Sequence, residues 1–278
     1  MKVKISLVVV FATLVAATWA FGDGFNMVSW PLLPHNTSIQ AAMADSMGTG
    51  CQLTGSFMSF YADLVRYYDA STSTWYTGWY STTLSAWQGD LTTIEPDKGY
   101  WIQIRGGNPA VTLTMTGGVC DTNRIVPVYD SATLTTFNLV GTAFAVPCSL
   151  KDCGMVASGF TGSFMSFYSD KVRHWDGATW FTAWYSTTLS AWQGDLYTLD
   201  PGDGYWLEIL AGHGFTNDEW VYPVPPSYAK GAKTVASRQT RGRASVEREL
   251  PVRVIRTLGG STNTSLKPEK QVEAKKTR

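Results

Sequence analysis

Tryptophan is where this chain concentrates its chemical capacity, with twelve in 278 residues. In the stretch Trp75 to Tyr80, period-two alternation puts Trp75, Thr77 and Trp79 on one strand face and Tyr76, Gly78 and Tyr80 on the other. The stretch recurs downstream with the first face unchanged, as Trp180, Thr182 and Trp184, while the second becomes Phe181, Ala183 and Tyr185. Exchanges that preserve an apolar body are those a core accepts, so the Trp-Thr-Trp face is expected to look outward. Close behind follow Trp87, Gln88 and Asp90, and in the second copy Trp192, Gln193 and Asp195. Indoles that cover the apolar face of a pyranose, beside amides and carboxylates that meet its hydroxyls, compose a sugar-binding surface. These ten residues form the candidate carbohydrate-binding set. Two other readings use the same rings: filling the centre of small β modules, or forming a patch for protein contacts.

Catalytic signals are poor. His35, His174 and His213 occupy unrelated positions, and the first copy has Tyr67 where the second has His174. Asp90 with Asp97, and Asp195 with Asp203, are carboxylate pairs of the kind a glycosidase uses. They lie in Gly/Pro turns, however, where aspartate caps backbone amides. No G-x-S-x-G elbow, H-E-x-x-H helix, P-loop or EF-hand loop is present. No His or Cys stands at paired zinc-ligand spacing. The expectation is a protein that is not an enzyme and needs no metal or cofactor, with an uncharacterised glycoside hydrolase as the remote alternative.

These residues sit in a duplication. TGSFMSFY occurs at Thr54 to Tyr61 and again at Thr161 to Tyr168. WYSTTLSAWQGDL occurs at Trp79 to Leu91 and Trp184 to Leu196, identical at 13 of 13 positions, whereas its flanks match at 7 of 14 and 6 of 13. Pro96-x-x-Gly99-Tyr100-Trp101 returns as Pro201-x-x-Gly204-Tyr205-Trp206, and Phe25-Asn26-Met27-Val28 as Phe137-Asn138-Leu139-Val140. The offset falls from 112 to 107 to 105 residues, and each drop locates a length change. The first change coincides with a helix-like stretch, Ser38 to Met43, in the first copy. The second lies between Asp69 and Trp75, where Asp176-Gly177 chemistry in the other copy marks a hairpin loop. Short aromatic and β-branched runs between Gly/Pro turns predict a mainly β fold. It comprises two tandem sandwich- or barrel-like modules, 21–118 and 119–226, with at most one short helix each.

The ends differ from the modules. Lys2 and Lys4, an apolar run from Ile5 to Ala17, and small residues to Ala20 have the layout of a secretory signal peptide over 1–20, too short to span a bilayer. After its removal no membrane span is expected, and the protein is expected to be secreted or held at a bacterial cell surface. Residues 21–226 carry 7 Lys+Arg against 18 Asp+Glu, a balance of −11, while 227–278 carry 13 against 4, a balance of +9. That tail has no Trp or Phe and is expected to be disordered, with Leu250 to Leu258 its one strand-forming stretch. Its charge suits contact with an anionic polymer, and the modules suit a polysaccharide or cell-surface glycan. Export makes disulfides available to Cys51, Cys120, Cys148 and Cys153. Of three pairings, Cys51 with Cys120 and Cys148 with Cys153 keeps each bridge within one module.

The order Phe-Asn-[Met/Leu]-Val, a Trp-bearing hairpin, then Pro-x-x-Gly-Tyr-Trp resembles a repeat module of bacterial secreted and cell-surface proteins, whose usual pattern is W-N-L-[IV]-S-x-P at the start and P-G-x-G-Y-W near the end. The likeness covers about residues 25–118 and 137–210. It departs at Phe25 and Phe137, where that family usually has Trp, and at Gly141-Thr142, where the second copy lacks the Ser and Pro. The resemblance implies an extracellular, mostly β, non-catalytic accessory module, and implies no ligand or site residues. A surface-associated binding role is the leading expectation, and a structural or adhesive role through protein contacts the next.

Overall fold

A computed structural model describes residues 15–21, 24–47, 53–108, 111–142, 144–227 and 253–256. It is mainly β. The first module contains β1 (Val15–Phe21), β2 (Gly24–Ser29), helix α1 (Ile39–Met47), β3 (Leu64–Asp69), β4 (Thr74–Ser81), β5 (Ala86–Gly89), β6 (Gly99–Ile104) and β7 (Val111–Gly117). The second contains β8 (Arg124–Pro127), β9 (Thr136–Gly141), β10 (Cys148–Ser149), β11 (Lys171–Trp175), β12 (Trp180–Ser186), β13 (Ala191–Gly194), β14 (Thr198–Leu199), β15 (Gly204–Ile209) and β16 (Glu219–Tyr222). One tail strand, β17 (Arg253–Arg256), falls inside the expected stretch and runs parallel to β1. The rest of the tail lies outside the described residues.

Each module is built on a five-stranded antiparallel sheet, and the two sheets have one topology. The order is β2-β6-β3-β4-β5 in the first and β9-β15-β11-β12-β13 in the second, strand for strand the duplicated motifs. One face of each sheet is apolar and covered by a second, smaller layer: β7, which pairs with β1, in module one, and β16 with β8 in module two. Val111, Leu113 and Met115 of β7, alternating with threonines, close the first core over Val65, Tyr100 and Ile102, with Ile39 and Met43 of α1 at its side. Trp220 and Tyr222 of β16 close the second over Val172, Ala183, Tyr205 and Leu207. The modules are therefore sandwiches, and α1 is the one α-helix among the described residues. The expected leader overlaps β1, since Val15 to Ala20 pair with Thr112 to Gly117 of β7. Residues 1–14 lie outside the described residues.

The expected disulfides need correcting. Cys148 and Cys153 are unbonded thiols, and Cys120 belongs to the second module's core rather than the first's. All three are buried among apolar side chains, and each thiol donates to a backbone carbonyl: Cys120 to Thr122, Cys148 to Ser149 and Cys153 to Leu150, at 3.3, 3.5 and 3.0 Å. Here cysteine acts as a small core residue. Burial pushes the Cys148 thiol up to about 11 and that of Cys153 up to about 12. Cys51, the proposed partner of Cys120, lies outside the described residues.

The two modules pack against each other about a pseudo-twofold axis. Val28 bridges Asp203, and its counterpart Val140 bridges Lys98, the counterpart of Asp203. The Ser29 amide donates to the Gly202 carbonyl at 2.8 Å, and the Gly141 amide to that of Asp97 at 2.9 Å. Such reciprocity is the mark of a twofold interface, here within one chain. Gly99 and Gly204 make it possible: a Cβ on Gly99 would lie 2.5 Å from the Val140 carbonyl oxygen, and one on Gly204 2.6 Å from that of Val28. Arg124 of β8 forms an ion pair with Asp97 across the interface, and Ser29 and Thr142 hydroxyls meet at 3.1 Å in its buried part.

Candidate functional site

The sheet faces turned away from the two cores meet at this interface. On β6, Tyr100, Ile102 and Ile104 point into the core while Gly99, Trp101 and Gln103 line the opposite face. Register then aligns Met27, Trp101, Arg66 and Thr77 in one row across the sheet, with Trp75 opposite Tyr68 beyond it. The second module repeats the row as Leu139, Trp206, Arg173 and Thr182, with Trp180 opposite Trp175.

The rings interlock with the same symmetry. Phe25 meets Trp101 edge-on at 5.8 Å, as Phe137 meets Trp206 at 6.1 Å. Across the axis, Trp101 contacts Trp180 at 6.0 Å and 72°, and Trp206 contacts Trp75 at 6.1 Å and 86°. Edge-to-face pairs of this kind add about 0.5–1.5 kcal/mol each beyond the burial of their area. The Trp175 indole N–H fixes one corner by donating to the Phe25 carbonyl at 2.8 Å. Between the rings lies a cleft of about 670 Å³, lined by Trp75, Trp101, Trp175, Trp180 and Trp206, with Arg66 its one charged side chain. Trp75 and Trp180 stand at the rim, 44% and 41% exposed.

Of the ten residues nominated from sequence, Trp75 and Trp180 line this cleft. Trp79 and Trp184 extend the same two faces, half-buried, opposite Gln88 and Gln193. Trp87 is turned the other way, into the first core, at 9% exposure, with α1 over it and its amide bonded to Gln40. The second module has no counterpart of α1, and Trp192 there borders a separate cavity of about 660 Å³ with Leu150, Met155 and Tyr197. Gln88 and Gln193 donate to the carbonyls of Trp87 and Trp192. The carboxylates of Asp90 and Asp195 accept the amides of Thr77 and Thr182, at 2.5 and 2.6 Å. Gly89 and Gly194 adopt φ of 109° and 114°, and a Cβ on either would fall 2.0 Å from a threonine carbonyl oxygen. Turn geometry thus accounts for the identical Gln-Gly-Asp segments.

The sequence reading missed Trp101, Trp206, Trp175, Phe25 and Arg66. The signal was present in Gly-Tyr-Trp-Ile-Gln-Ile, where the alternation ending on Gln103 or Glu208 sets the tryptophan row apart from the core row. The motif's residues divide their work: Gly99 admits the other module, the Tyr100 hydroxyl accepts the Glu95 amide of the preceding turn at 2.7 Å, and Trp101 lines the cleft. Tyr205 holds its own turn through Asp200 at 2.6 Å.

Other chemistry is sparse. His174 is buried, with Nδ1 2.9 Å from the Gly204 carbonyl oxygen, and His213 Nδ1 is 2.8 Å from the Asp170 carboxylate, while His35 is exposed. Among the described residues no His, Cys, Asp and Glu side chains cluster as metal ligands would, and no helix is long and apolar enough to cross a membrane. No family model, curated protein or solved structure matches the chain.

Proposed function

We propose that this is a non-catalytic glycan-binding protein whose two modules form one site, the tryptophan cleft on their pseudo-twofold axis. The observation that carries the reading is the five-indole lining: flat apolar surfaces held on two rigid sheets suit the apolar faces of a sugar chain. Because the rings are fixed by packing and register rather than by loops, little conformational freedom remains to be lost on binding. The lysine-bearing apolar leader and the resemblance to bacterial secreted modules support export to the cell surface, where such a ligand is encountered. The basic tail, opposite in charge to the acidic modules, is then free to hold an anionic polymer. A glycan array probed with the full chain tests the reading. Binding that is lost when Trp75 and Trp180 are both replaced by alanine supports it; unchanged binding by that variant refutes it.

A second reading, adhesion through protein contacts, draws on a different surface. The duplicated TGSFMSFY loops present Phe57 and Phe164, each 58% exposed, beside exposed Phe60, Tyr61, Phe167 and Tyr168. Both loops are tied down by a buried aspartate, Asp63 or Asp170, which accepts the amide of Thr54 or Thr161 at 2.7 Å. Exposed aromatics on a rigid support are suited to a protein partner. Loss of cell or matrix attachment on replacing Phe57 and Phe164 with serine, with glycan binding intact, would favour it.

A further inference from the structure

We propose that the cleft takes a sugar chain through an acidic unit whose anionic oxygens are held by the Arg66 guanidinium, an inference that rests on the glycan reading above.

The duplication supplies an internal comparison. In module two, Arg173 is ion-paired with Glu208, and Lys171 reaches the same carboxylate at 2.8 Å. At the corresponding positions module one keeps the arginine, as Arg66, but has Gln103 in place of Glu208 and Leu64 in place of Lys171. One copy compensates its cation internally; the other has lost the carboxylate and retained the cation. Among the described residues no Asp or Glu lies within ion-pair distance of Arg66. Its Nε is buried without a hydrogen-bond partner, but so is that of Arg173; what sets Arg66 apart is the missing carboxylate, and its side chain lines the cleft. Burial, and then the like charge of Arg105, lower the guanidinium pKa, yet arginine remains a cation at any physiological pH.

An uncompensated guanidinium is unexpected in modules whose balance is −11, where neutralising carboxylates are plentiful. Arg66 lines the cleft, and the outer N–H groups of its guanidinium are where a ligand oxyanion would be met. The guanidinium fork donates to a carboxylate or a sulfate in bidentate fashion, and Trp75, Trp101 and Trp206 offer ring surface to the sugar that bears it. Carboxylated and sulfated sugars share this chemistry.

The test is calorimetric titration of the full chain with oligogalacturonate, its fully methyl-esterified form, and a sulfated galactan oligosaccharide of equal length. At least one acidic oligomer is expected to bind about tenfold or more tightly than the neutral ester, the scale of one charge-assisted hydrogen bond. Arg66→Gln should erase that preference, and so should Gln103→Glu, which restores the carboxylate of module two, while Arg173→Gln should preserve it. Near-ultraviolet circular dichroism identifies any variant that has lost its packing, and the two Arg66-side variants give independent readings. Equal affinity for acidic and neutral forms, or a preference that survives Arg66→Gln, overturns the inference and leaves the glycan reading standing. Absence of binding to all three overturns both. The two acidic arms decide between carboxylate and sulfate.

Discussion

Gly204→Ala probes the arrangement on which everything else depends. The added Cβ would lie 2.6 Å from the Val28 carbonyl oxygen, about 0.8 Å inside ordinary contact, and 3.1 Å from the Val28 nitrogen. All of these are backbone atoms on paired strands, so no side chain can rotate away. The modules must part locally, and the 2.8 Å bond from Ser29 to the Gly202 carbonyl sits two residues from the clash. Overpacking of this kind costs about 1–3 kcal/mol and the strained hydrogen bond about 0.5–1.5 kcal/mol, for a combined loss of about 1.5–4.5 kcal/mol. Gly99→Ala is the symmetry mate, with its Cβ 2.5 Å from the Val140 carbonyl oxygen, and should cost a similar amount. The two share one interface, so the double variant should lose less than the sum. Urea denaturation reads the stability, and near-ultraviolet circular dichroism reads the interlocked indoles. The packing is refuted if the double variant stays within about 0.5 kcal/mol of the parent, the range of an ordinary surface change, with its aromatic dichroism unchanged.

Trp87→Ala should destabilise the chain by about 3–5 kcal/mol, as truncation of a buried aromatic does, whereas Trp180→Ala at the rim should cost far less stability while weakening ligand binding; denaturation and titration of both variants separate the two roles. Cys148 and Cys153 should resist a thiol reagent in the native protein at pH 8, because burial raises both thiols and leaves roughly one in a thousand or fewer as thiolate. Since the folded thiols keep their protons to higher pH than unfolded ones, their contribution to stability is full below the ordinary thiol value near 9 and fades as pH rises toward 11 and 12. Urea melts between pH 8 and 11 check the sign. Asp170→Asn should loosen the exposed Phe164 to Tyr168 loop, since the buried carboxylate accepts from the Thr161 and Leu210 amides at 2.7 and 3.0 Å. A loss of about 1.5–3 kcal/mol, with faster amide exchange in that loop, is the expected result.

Much of this architecture was legible because it occurs twice. The length changes located α1 and the β3–β4 hairpin, and the substitutions at Tyr76/Phe181 and Gly78/Ala183 separated core face from outer face on one strand. The same comparison misjudged Trp87. Identity between copies does not distinguish a ring kept for a ligand from one kept for the core, and α1, present in one copy only, is what covers it. The invariant Gln-Gly-Asp segment likewise answers to the positive φ of Gly89 and Gly194. The cleft itself was illegible as a unit, since its lining comes from both modules. Pairing Trp101 with Trp180 requires knowing that the sheets meet face to face, and no periodicity within one copy contains that information. Cysteine parity misled for a related reason: counting thiols assumes that they pair, whereas Cys120, Cys148 and Cys153 fill one core.

Oxidative footprinting of the tryptophans tests the glycan account most directly, by treating the full chain with N-bromosuccinimide with and without a saturating oligosaccharide and locating the modified indoles by mass spectrometry. Trp75 and Trp180, the exposed rim of the cleft, should be oxidised in the free protein and protected by ligand, with Trp79 and Trp184 unaffected by its presence. Protection of Trp79 and Trp184 with Trp75 and Trp180 still reactive would place the ligand elsewhere and contradict the account.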